Sequence, residues 1–159
     1  MKKIFMMVVL AAMTLTARAQ IEMATYDGKK FTVQHPKEYA DVIDSWTPDV
    51  VNEWKKDDKH KLSVWPDEYN DVTLETLKSW GDIMKQDFES KDEGWKVDAP
   101  VIDGKYLTIR MTAGDVAQYY YVIIESEDYR FEGKMSFLVS EEAQYKPVFD
   151  TIIKSIKKK

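Results

Sequence analysis

Apolar positions recur along the chain with two periods, and the switches between them mark its elements. Lys29 to Gln34 alternates, with Phe31 and Val33 on one side, which predicts a strand. His35-Pro36 should end it, because the residue before a proline is pushed out of the helical region; His35 is then a turn residue. Residues 20–28 read as a lead-in or edge segment. Residues 37–48 fit neither period, and Thr47-Pro48-Asp49 is a turn signal. Asp49–Lys55 and Lys61–Trp65 are short β-rich runs around the charged tip Lys56-Asp57-Asp58-Lys59-His60, a hairpin pattern that Pro66 should close.

The period then changes. Leu74, Leu77, Gly81, Met84 and Phe88 recur every three or four residues, which lays one apolar stripe down a helix. Thr73 suits its N-cap, since a hydroxyl there accepts from an orphan amide of the first turn. Gly81 in mid-helix costs about 1 kcal/mol relative to Ala and implies a close approach by another segment. Lys91-Asp92-Glu93-Gly94 ends the element.

Residues 105–138 return to alternation as a three-strand meander, 105–112, 117–125 and 129–138. Tight turns place Leu107 opposite Val122, Ile109 opposite Tyr120, and Val122 opposite Phe131. Under that register one face collects Leu107, Ile109, Met111, Tyr120, Val122, Ile124, Phe131, Met135 and Phe137, and a one-residue slip would break the agreement. The other face carries Tyr106, Thr108, Arg110, Tyr119, Tyr121, Ile123, Arg130, Glu132 and Lys134. Rows of this kind brace a sheet through aromatic, ionic and cation–π contacts. They also offer an aromatic, mixed-charge platform for a protein or glycan partner, with Tyr106, Arg110, Tyr119, Tyr121 and Lys134 as its binding residues unless a helix covers them.

A second helical stripe, Phe149, Ile152, Ile153 and Ile156, closes the chain. Ser140 suits its N-cap, and Glu141 and Glu142 suit the positive end of the dipole. Pro147 should break the helix or restart it. Lys154 and Lys157–Lys159 read as a helix ending.

The beginning is different in kind. Met1-Lys2-Lys3, the uncharged apolar stretch Ile4 to Leu15, and Ala17-Arg18-Ala19 have the layout of a cleaved secretory signal peptide. The stretch is too short to span a bilayer, which takes about 20 residues. The expected mature protein is one domain, residues 20–159, periplasmic or secreted, monomeric and without a membrane anchor. Removing residues 1–19, with three basic side chains and no acid, takes 159 residues to 140 and the net charge from −5 to −8. That charge argues against nucleic acid, whose binders neutralise phosphates. The absence of cysteine excludes disulfides, thiolate metal sites and a cysteine nucleophile.

Catalytic signatures are sparse. No nucleophile elbow, phosphate loop or dinucleotide fingerprint occurs, and no cofactor is expected. His35 and His60 lack metal-ligand spacing, and the acids at 67–71 and 87–93 lack the spacing of a calcium loop. Two alternatives stay open: a metal-dependent hydrolase using scattered carboxylates with His60, and a glycan-binding module using Trp46, Trp54, Trp65, Trp80 and Trp95.

The order of these elements resembles the PsbP/Mog-like family. The resemblance rests on Phe31-Thr-Val-Gln-His-Pro36, the hairpin ending near Val64, Val72-Thr-Leu-Glu-Thr-Leu77, the meander, and Phe149-Asp-Thr-Ile-Ile-Lys-Ser-Ile156. It implies an α+β fold, a central antiparallel β-sheet with helices packed on both faces. It also implies an accessory or binding protein rather than an enzyme. Neither a photosynthetic nor a nuclear-transport role is carried over, since a fold does not give function.

Overall fold

The computed structural model describes residues 20–43, 52–68, 71–91 and 94–159. The signal-like residues 1–19, Trp46, the Thr47-Pro48-Asp49 turn and the pairs 69–70 and 92–93 lie outside them. Strands β1 (Met23–Asp27) and β2 (Phe31–Pro36) form an antiparallel hairpin. The large antiparallel sheet follows: β3 (Ala40–Val42), β4 (Glu53–Lys55), β5 (Lys61–Asp67), then, after helix α1 (Leu77–Ser90), β6 (Lys96–Val97), β7 (Val101–Asp103), β8 (Tyr106–Ala113), β9 (Val116–Ser126) and β10 (Tyr129–Leu138). Its order is β3-β4-β5-β10-β9-β8-β6, with β7 also on β8. A 3-10 turn over Val139–Glu141 leads into α2 (Glu142–Ser155), and β11 (Lys157–Lys158) adds to β2 in the smaller sheet.

Several local expectations are corrected. His35 lies inside β2, buried, with its ring stacked on Trp54 at 5.2 Å. Pro66 lies inside β5 rather than closing it. β4 pairs only with Lys61–Ser63, so at Pro66 the neighbouring strand is β10 alone and the missing N–H costs no ladder bond. Helix α1 begins at Leu77, and Leu74 is 60% exposed in the preceding turn; the Thr73 hydroxyl still accepts from the Thr76 amide, at 3.3 Å. Pro147 is carried inside α2, where the carbonyl it leaves unbonded, that of Ala143, sits on an exposed residue. Lys157 and Lys158 are a strand, not a helix ending. Gly81 behaves as expected: a Cβ there would lie 2.9 Å from Leu107 and 3.0 Å from Pro100.

The meander holds the largest departure. β8 and β9 pair as predicted, Leu107 with Val122 and Ile109 with Tyr120. Tyr129 then pairs with Ser126 but Arg130 with Ile124, so Glu125 is an inserted residue and the register shifts by one. Val122 faces Glu132, and Phe131 faces Ile123. A one-residue shift moves every side chain of a strand to the opposite face. Phe131, Met135 and Phe137 therefore share a face with Tyr119, Tyr121 and Ile123, while Lys134 joins Tyr120 and Val122.

Each face now carries its own apolar cluster. Odd-numbered residues of β9 enter a cluster with Phe31, Trp54, Leu62, Phe131, Phe137 and, from α2, Tyr145, Phe149, Ile152 and Ile153. Even-numbered residues enter a second, with Leu107, Ile109, Met111 and, from α1, Leu77 and Phe88. Non-directional burial of apolar area drives both.

Candidate functional site

The predicted platform residues do not form an open surface. Tyr119 lies against Phe149 at 5.0 Å and Phe137 at 5.7 Å, and its hydroxyl donates to Glu142 at 2.6 Å. Tyr121 is wholly buried and donates to the Ser63 carbonyl at 2.8 Å. Arg110 reaches Glu142 through two nitrogens, at 2.6 and 2.8 Å, and Asp98 through a third at 3.1 Å. Tyr106 packs partly buried against the first cluster, and Lys134 is on the opposite face, beside Tyr120. Burial and the Glu142 carboxylate push the Tyr119 hydroxyl up, and the Arg110 guanidinium holds the Glu142 carboxyl below its usual range. Arg110, Tyr119 and Glu142 thus fasten α2 to the sheet.

Gly133 completes that fastening. It pairs with Tyr121 on β9 and Val64 on β5, and a Cβ would lie 2.0 Å from the Ser63 carbonyl oxygen. Its missing side chain lets the Tyr121 hydroxyl reach across β10 to β5. A glycine inside a strand pattern signals such an approach, and Gly133 carries that signal in the sequence.

The polar groups that do converge lie elsewhere, around an open cleft of about 490 Å³. Four segments build it: the lead-in Gln20–Glu22, the turn after β2, the tip of the β4–β5 hairpin and the start of α2. Backbone bonds from Lys37 to the Glu22 carbonyl (2.8 Å) and from Tyr39 to the Pro36 carbonyl (2.9 Å) shape its floor. Glu22 pairs with Lys37 at 3.0 Å and Glu38 with Lys56 at 3.1 Å; Tyr145 donates to Glu38 at 3.3 Å. The Glu38 bond raises the Lys56 ammonium, and burial raises the hydroxyls of Tyr39 and Tyr145.

His60 stands behind this cleft. It is 5% exposed, with Nδ1 2.8 Å from Asp57 and Nε2 2.6 Å from Glu141, and Tyr145 packs on the ring. The contact with His60 brings the Asp57 carboxyl down to about 2. His60 thus makes a clasp between the hairpin tip and α2. Sequence spacing could not reveal it, because Glu141 is 81 residues away.

Among the described residues, no cluster of three or more His, Asp or Glu side chains could hold a metal ion. Trp54 and Trp95 pack in or against the two clusters, Trp80 lies beneath the Arg130 guanidinium at 5.6 Å, and Trp65 is exposed. No helix among the described residues is long and apolar enough to cross a membrane.

By sequence, no family model and no curated protein matches the chain. By structure, its fold is PsbP-like, α+β on a large antiparallel sheet. A solved structure similar to it is that of cyanobacterial PsbP (CyanoP) from Synechocystis sp. PCC 6803, at TM-score 0.61 and 18% identity, covering 87% of this chain and 94% of that one.

Proposed function

We propose that this chain is an exported, monomeric, non-enzymatic accessory or binding protein of the periplasm or cell exterior, PsbP-type in descent, with α1 and α2 as the outer layers of an α/β/α sandwich. The cleft between the hairpin tip and α2 is its binding surface. The observation that carries the reading is charge pairing: the charged groups lining the cleft are matched as Glu22–Lys37, Glu38–Lys56 and Glu141–His60. A general acid or base needs a position free to exchange a proton with substrate, and these groups are spent on one another. Paired ions at an open surface suit polar recognition of a partner and give specificity more than affinity.

The test is site-specific photo-crosslinking in the native cell, with the probe at Gln144 in the cleft or at Lys78 on α1. A discrete adduct from Gln144 and none from Lys78 is expected, with the mature N-terminus at Gln20. Equal labelling from both sites, no adduct from Gln144, or a retained leader would overturn the reading.

A further inference from the structure

Around β11 of the small sheet lysines gather, and their contacts sort them. Lys30 pairs with Glu68 at 3.3 Å, Lys159 with Asp27 at 2.6 Å, and the Lys158 ammonium lies 3.9 Å from the centre of the Tyr129 ring. Lys154 and Lys157 make no ion pair among the described residues, and both line one cleft of about 270 Å³. Its other walls are uncharged: Thr25, Thr32 and Gln34 among them. Register explains the assembly, since Thr32 pairs with Lys157 and Gln34 with Thr25, which sets all four on one face of the small sheet. Asp27, the acid that pairs with Thr32, is neutralised by Lys159. The walls are also fixed to each other, because the Gln34 amide donates to the Ser155 hydroxyl at 2.8 Å and that hydroxyl to the Ile152 carbonyl at 2.6 Å.

We propose that this cleft is a binding site for a tetrahedral oxyanion, a phosphate or sulfate group, held by Lys154 and Lys157 with the hydroxyls of Thr25 and Thr32 and the side-chain amide of Gln34. Two unmatched ammonium groups beside neutral donors fit a dianion, and charge-assisted bonds to such oxygens are the strong kind. On a chain of net charge −5 the basic charge is local, so it selects an anionic group rather than an extended polyanion. Lys154 also complements the negative end of α2, and the test separates the two roles.

Amide chemical shifts of the protein are followed by NMR while sodium phosphate is added, with sodium chloride at matched ionic strength as the reference. Saturable shifts centred on Thr25, Thr32, Gln34 and Lys157 are expected with phosphate alone. Lys154→Gln with Lys157→Gln should weaken them about tenfold or more, while Lys78→Gln changes nothing. Equal shifts with chloride, shifts spread over every lysine, or undiminished binding by the double variant would overturn the site. A loss of thermal stability in the double variant with phosphate binding intact would assign the lysines to the helix end alone. Cosedimentation with phosphatidylglycerol vesicles distinguishes the source: pelleting that needs both lysines supports a lipid headgroup, and phosphate binding without pelleting supports a soluble ester.

Discussion

Glu141 and Glu142 are neighbours at the start of α2, yet they hold two different parts of the sheet. Glu141 takes His60 at the hairpin tip at 2.6 Å, while Glu142 takes Arg110 on β8 and Tyr119 on β9. Adjacent side chains near a helix start diverge by about 100°, so successive acids can reach separate partners. Replacing Glu142 by Ala should destabilise the protein by about 1–3 kcal/mol, because it leaves a partly buried guanidinium and hydroxyl without their acceptor. Urea unfolding measures it, and an unchanged midpoint would refute the clamp.

Acid should weaken the other attachment first at its carboxylates. Asp57 lies at about 2 when folded against an ordinary 3.8, so its contribution is whole above pH 3.8 and is lost as pH falls through about 2. Glu142, also held low, acts in the same direction. Urea midpoints taken from pH 5 downward should fall, and Asp57→Asn should flatten that fall. An identical slope in the variant would show that the clasp carries no linkage.

Gly133→Ala should cost more than about 2 kcal/mol, since its Cβ would strike backbone at the Ser63 carbonyl. Tyr121→Phe removes only the bond to Ser63 and should cost about 1 kcal/mol. The order of the two losses, read from thermal or urea unfolding, is the discriminating result: if Tyr121→Phe is the worse, the glycine is not needed for space.

Gly81→Ala sets two effects against each other. Helix propensity favours Ala by about 1 kcal/mol, but the new methyl meets Pro100 and the buried Leu107 at about 3 Å. Overpacking costs typically about 1–3 kcal/mol, so a net loss of stability is expected. A more stable variant would mean that Pro100 gives way freely.

Periodicity made both helices, the hairpin and the β8–β9 register legible, because each depends on neighbours in sequence. The β9–β10 register was not, since an inserted Glu125 carries no signature in an alternating run. That single residue moved Lys134 away from Arg110, Tyr119 and Tyr121 and put apolar side chains on both faces. The cleft was illegible for a different reason: Glu22, Glu38, Lys56, His60 and Glu141 come from segments with no common period. Its nearest sequence trace is the Asp57–His60 spacing, and the second carboxylate, Glu141, is too distant in sequence to signal itself.

The bulge at Glu125 also makes the sheet and α2 depend on each other. Because it turns Phe131 and Phe137 toward the α2 side, that aromatic surface is covered only when α2 docks. β2 likewise has its second edge filled only by β11. Domains generally fold as units, and here the unit closes only with α2 and β11 in place.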